Sequence, residues 1–211
     1  LHLSLRRQRQ MCIRDRYVNR RFSRPIASFL AEKTKITPNQ MSFISFLVGI
    51  LSGAAFLLGQ GIVGGLLAQT ASILDGVDGD LAVITGKISK FGGFFDSLLD
   101  RYADSAIILG VTLNLLSLSG NSLIVLSIGI AAIFGCLMIS YSRAKAEADL
   151  DLVFKSGISG YTANRDVRLF IIMIGGILNQ TYITLVILAA LTNLVVLNRI
   201  FDARRYSFRE K

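Results

Sequence analysis

Apolar residues concentrate in six runs, at about 40–58, 61–84, 91–117, 122–148, 167–178 and 182–201. Crossing the ~30 Å of bilayer hydrocarbon takes ~20 helical residues, and most of the runs approach that length. The fifth is short, which places its basic start at or slightly inside the interface. The connections Gly59-Gln60, 117–121 and 179–181 carry no Lys or Arg. Ahead of the first run, residues 17–36 mix basic side chains with Ile26, Phe29 and Leu30. That mixture predicts an amphipathic helix lying in the membrane interface. Thr37-Pro38-Asn39 ends it, with Pro38 placed to suit the first turn of the next helix. The pattern predicts an all-α polytopic membrane protein: an interfacial helix over 17–36, then six transmembrane helices within 40–201.

Composition agrees with that class. The 211 residues are 52% hydrophobic, with a mean hydropathy of +0.55. A soluble domain of this length does not need so many helix-long apolar runs. Residues 1–16, LHLSLRRQRQMCIRDR, resemble translated adapter sequence and are set apart as a non-native segment, leaving 17–211 as the membrane domain. On that reading the natural protein extends further at this end. Cys12 and Cys136 are far apart and predict neither a disulfide nor a zinc site. His2 is the only histidine, so a general base within the membrane domain must be another residue type, with Asp the first candidate.

The net charge of +9 is distributed unevenly. The N-terminal region, Lys87, Lys90, the 143–168 region and Arg204, Arg205, Arg209 and Lys211 all fall on or near one side. Arg101 alone reads as embedded. By the positive-inside rule that side is cytoplasmic and receives both termini. No nucleic-acid partner is expected.

Into the apolar pattern the segment DGVDGDLAVITGKISKFGGFFDSLLD, residues 75–100, inserts Asp75, Asp78, Asp96 and Asp100. Spacings of three and four put each pair on one helix face. A carboxylate in a membrane helix costs about 2.5–3.5 kcal/mol on insertion scales. Facing the four together around divalent cations offsets that cost, and hard oxygen donors suit Mg²⁺ or Mn²⁺. Two other readings fit the pattern less well. An ion-pair network built on Arg101 leaves four acids facing one cation. A cation transporter would spread its acids along a route across the bilayer, whereas these gather at one end. Asp80 and Asp104 are expected to be structural, Asp80 as an interfacial residue and Asp104 paired with Arg101.

The pattern D-G-x-x-A, nine residues, G-x-x-x-D-x-x-x-D, with Asp75 three residues before it, resembles the signature of the CDP-alcohol phosphotransferase family. The matching positions are Asp75, Asp78, Gly79, Ala82, Gly92, Asp96 and Asp100, and the resemblance runs from about Tyr17 to the C-terminus. Val83 stands where the family has Arg, which removes a cation expected near the nucleotide diphosphate. The resemblance implies attack by an acceptor hydroxyl on the phosphorus distant from cytidine, with release of CMP. It implies two Mg²⁺ or Mn²⁺ ions held by Asp75, Asp78, Asp96 and Asp100, with Asp100 also the base. Gly79, Ala82 and Gly92 would let the CDP group approach the backbone. Arg143, Lys145, Arg165 and Arg168 match positions that bind an acceptor phosphate. A homodimer in contact with membrane lipid is expected. The stretches ILDGVDGDLA, FGGFFDSLLDRYAD, SRAKAEA and RDVRLF are most similar to the membrane half of di-myo-inositol phosphate phosphate synthases. That branch joins CDP-inositol to inositol 1-phosphate; a lipid-making relative with a CDP-lipid donor is the alternative.

Overall fold

The computed structural model describes residues 20–120, 122–152, 154 and 164–209. Among these residues there are seven helices and no strand: α1 (Arg20–Lys33), α2 (Pro38–Leu57), α3 (Gly61–Ile84), α4 (Lys90–Leu118), α5 (Leu123–Leu150), α6 (Arg165–Ile177) and α7 (Thr181–Arg209). Each apolar run became one helix, and the interfacial segment became α1. Residues 1–16, and the start of the expected interfacial helix, lie outside the described residues.

The α2 start carries a device the apolar pattern did not disclose. Thr37 Oγ1 accepts from the Gln40 backbone N–H at 3.4 Å, and Gln40 Oε1 accepts from the Thr37 N–H at 2.9 Å. This reciprocal capping box satisfies two orphan donors, with Pro38 just inside the helix. The turn between α3 and α4 contains Gly86 at φ +67°, a conformation that costs a side-chain-bearing residue more than glycine.

The helices are drawn together by small residues. An added Cβ on Gly110 of α4 would run into the Gly53 carbonyl of α2, so these backbones touch. Ser45 and Ser52 of α2 donate to the Ala71 and Gly64 carbonyls of α3 at 2.9 and 2.7 Å. The main core combines Phe56, Ala68, Ile107, Ile108, Leu169, Ile172, Leu185 and Leu188. A second cluster, Ala27, Met41, Val77 and Leu81, seats α1 on α2 and α3. Large apolar side chains such as Leu51, Phe134 and Leu194 point outward, as suits a surface solvated by hydrocarbon.

The expectation of six spans is corrected. Three described helices are long and apolar enough to cross a membrane: Pro38–Leu57, Leu123–Leu150 and Thr181–Tyr206. The acids of α3 and the charged residues in the first half of α4 dilute the hydropathy of those helices. The α6 helix, at 13 residues, is too short. All three shortfalls involve helices that supply the candidate site.

Candidate metal centre and active site

The short α3–α4 connection turns the chain back, and both helices pack on α2, so acids from the C-terminal half of α3 face those from the N-terminal half of α4. Asp75, Asp78 and Asp96 thereby come together: each offers a carboxylate oxygen, and the three oxygens lie within 4.8 Å of one another. Asp78 is buried, and Ser42 of α2 donates its hydroxyl to Asp78 Oδ2. Three converging carboxylate oxygens form a donor set that fits a hard divalent cation of the Mg²⁺ or Mn²⁺ kind.

Asp100 stands beside this cage through Arg165, the first residue of α6. Arg165 Nη1 is 2.9 Å from Asp75 Oδ1 and 2.9 Å from Asp100 Oδ1. Neither contact is aligned for a hydrogen bond, so the pairing is chiefly Coulombic. Arg165 Nε is well aligned, donating to Asp104 Oδ1 at 2.9 Å, while Arg168 Nη2 donates to Asp104 Oδ2 at 2.8 Å. Arg101 lies on the other side of Asp100, 3.5 Å from its Oδ2. It is held by the Ser97 carbonyl at 2.7 Å and the Ser140 hydroxyl at 2.9 Å.

These contacts revise several expectations. Asp104 is paired, but with Arg165 and Arg168 rather than Arg101, because those two long side chains reach from the first turn of α6, which packs on α3, across to α4. Asp80 is buried, and it accepts from Ser23 of α1 at 2.7 Å. The acids also face three arginines instead of one. Asp75, Asp78, Asp96, Asp100 and Asp104 against Arg101, Arg165 and Arg168 still leave an excess of two negative charges, which one divalent cation offsets.

Gly79 is exposed, and an added Cβ there would meet nothing within 4 Å, so its backbone faces open space beside the cage. Ala82 is half-buried and Val83 exposed one turn further on. Gly92 is small for a local reason. A Cβ there would lie 2.9 Å from Ser89 Oγ and 3.1 Å from Asn39 Oδ1, and that Ser89 oxygen caps α4 by accepting from the Gly92 N–H at 2.9 Å.

The four basic residues proposed from sequence divide into two groups. Arg168 is buried and Arg165 largely so, both among the acids. Arg143 and Lys145 are exposed near the end of α5, where Lys145 pairs with Asp149 at 2.8 Å. A fifth basic residue, Arg199 of α7, is not among the candidates that the sequence offers. It is in fact buried. Its Nη1 donates to the Ile139 carbonyl and, at 3.0 Å, to the Ser142 hydroxyl; its Nε has no hydrogen-bond partner. Arg143 and Arg168, both positive, act on it electrostatically. Its guanidinium also lies 5.1 Å from the Phe154 ring centroid. The available signal was a lone charge inside the apolar run LTNLVVLNRIF.

A family model described as CDP-alcohol phosphatidyltransferase matches residues 35–197. The archaetidylinositol phosphate synthase of Pyrococcus horikoshii is 35% identical over 170 residues, which cover 81% of this chain and 85% of that protein. The bifunctional IPC transferase and DIPP synthase of Rubrobacter xylanophilus is 38% identical over 172 residues, covering 82% of this chain and 38% of that protein. The chain therefore spans about two fifths of the bifunctional relative. In three dimensions it resembles the Mycobacterium tuberculosis phosphatidylinositol phosphate synthase crystallised with CDP-DAG bound. The TM-score is 0.74 at 22% identity, over 87% of this chain and 94% of that one. That protein has also been crystallised with manganese and citrate.

Proposed function

Because the chain belongs to the CDP-alcohol phosphatidyltransferase family, we propose that it moves the inositol phosphate group of CDP-inositol onto a hydroxyl of inositol 1-phosphate. The products are di-myo-inositol phosphate phosphate and CMP. The observation that carries the reading is the cage of Asp75, Asp78 and Asp96 with Asp100 at its edge. The cage would hold Mg²⁺ or Mn²⁺, which when bound neutralises the diphosphate and stabilises the departing CMP oxygen. The open backbone at Gly79 and the small side chain of Ala82 admit the CDP group beside the cage. Asp100 accepts the proton of the acceptor hydroxyl as the new P–O bond forms and the bond to CMP breaks. It is suited to this because it lies outside the three-oxygen set yet next to it.

The acceptor phosphate is drawn to the basic surface at the ends of α5 and α7. Arg143 and Lys145 supply its exposed part and Arg199 its buried part. Arg165 and Arg168, engaged by Asp104, frame the pocket from behind and add positive potential. In this reading the site and both termini face the cytoplasm, where the basic residues accumulate, and the protein works as a homodimer in the membrane.

Arg199→Gln provides a direct check. A charge-assisted hydrogen bond contributes about 1.5–3 kcal/mol, so the KM for inositol phosphate is expected to rise about tenfold or more, with the donor KM unchanged. Thermal stability should hold, since the substitution removes a buried cation that no carboxylate contacts among the described residues.

One observation favours a second donor. A largely apolar groove of about 530 Å³ lies between α2 and the start of α4, lined by Ile36, Asn39, Gln40, Phe43, Ile44, Phe91 and Phe95. Asn39 brings its polar end next to Gly92. A CDP-lipid could lay a chain there. Purified protein offered CDP-inositol and a CDP-lipid separately, each with inositol 1-phosphate and Mg²⁺ or Mn²⁺, distinguishes the donors. CMP release is expected with CDP-inositol; release with the CDP-lipid alone would overturn the proposed donor.

A further inference from the structure

We propose that Asp104 is a positioning residue for the centre. It clamps Arg165 so that one guanidinium stands between Asp75 and Asp100 without claiming either. The proposal rests on the placement of the metal cage described above, but not on which donor the protein uses.

The clamp is visible in how Arg165 distributes its contacts. Its one well-aligned ionic hydrogen bond runs from Nε to Asp104 Oδ1, at 2.9 Å. Arg168 takes the other oxygen of the same carboxylate, at 2.8 Å, so Asp104 is held at both ends and cannot swing away. Asp104 is one helical turn beyond Asp100 on α4 and is buried, which fixes the depth of the guanidinium. The opposite edge of Arg165 then meets Asp75 and Asp100 with Nη1 at 2.9 Å from each, both off-axis.

That arrangement is not the one an unrestrained arginine would choose. Guanidinium and carboxylate prefer a bidentate fork with two parallel hydrogen bonds. A free Arg165 would form that fork with Asp75 or Asp100. On Asp75 it would compete with the cation for a cage ligand; on Asp100 it would occupy the base. With Asp104 holding Nε, the side chain lends positive charge to both acids while leaving their lone pairs to other partners. Arginine's long, flexible stem makes such a restraint necessary: it carries about 2 kcal/mol of rotamer entropy.

The test uses the whole chain in detergent with Mn²⁺ alone as probe, following the loss of the free-ion EPR signal. Asp104→Asn keeps the shape and removes the charge. It is expected to weaken Mn²⁺ binding about tenfold, the low end of what outer-shell partners of a metal site contribute. Adding Arg165→Gln removes the competing cation, so the double variant should bind Mn²⁺ as tightly as Arg165→Gln alone. In CMP release, with whichever donor the wild type accepts, kcat should follow the same order, with little change in donor KM. If Asp104→Asn binds Mn²⁺ like the wild type, or if the two losses multiply in the double variant, the proposal fails. Should Asp104→Asn not fold, Asp104→Glu serves instead: it keeps the charge but shifts the carboxylate by one methylene, and it should show the same loss and the same rescue. A wild type that turns over neither donor would overturn the proposed function, and the Mn²⁺ titrations would still decide the role of Asp104.

Discussion

Asp100→Asn is expected to lower CMP release by about 10²–10⁴-fold, the span that general-base catalysis contributes. Asn is nearly the same size and shape, so packing around α4 is preserved. Its amide cannot accept the acceptor's proton. It also leaves Arg165 and Arg101 with one fewer negative partner, which raises the positive potential at the site. Substrate binding should therefore hold while kcat collapses, and Mn²⁺ binding should change much less than turnover because Asp100 lies outside the three-oxygen cage. The check is a kcat and KM measurement beside an EPR titration. A variant that keeps kcat within threefold, or that loses the metal in parallel with turnover, would remove Asp100 from the role of base.

The second large effect concerns Asp78. Asp78→Asn takes one of three charged ligands from the cage, and its buried position offers no solvent-exposed substitute. The Mn²⁺ affinity should fall by more than about 100-fold, beyond the 10–100-fold typical of losing an outer-shell partner. Ser42→Ala, which removes only the hydroxyl that donates to Asp78, should fall inside that range. Heat gives an independent readout. Without metal, Asp78→Asn relieves repulsion among clustered carboxylates, so its melting temperature should equal or exceed that of the wild type. With metal at about 100 times the dissociation constant, the wild type should gain about 2.7 kcal/mol of stability and the variant almost none. Equal metal stabilisation of both proteins would show that the cation binds elsewhere.

Much of the helical layout could be read along the chain, because apolar runs and polar breaks are one-dimensional. The α3 helix spans 61–84, the limits its run suggested, and α1 to α7 follow the predicted order. The acid cage was legible too. Spacings of three and four place Asp75 with Asp78, and Asp96 with Asp100, on single faces, and a short connection must turn α4 back toward α3. Spacing also aligned Gly79 and Gly92, but it could not distinguish their environments. Gly79 faces open space, whereas Gly92 is pressed against Ser89 and Asn39.

What the sequence determined, then, was which residues are acidic, which helices carry them and at which end of each helix they stand. Tertiary structure decided who answers their charge. Arg165 is 90 residues from Asp75 and reaches it only because α6 packs against α3, and Asp104 meets Arg165 and Arg168 instead of the nearer Arg101 for the same reason. Arg199 became a buried cation among other cations by the way α7 crosses α5. Helical periodicity fixes neighbours three or four residues away. Partners on different helices depend on how small residues let those helices approach, and that geometry has no one-dimensional signature.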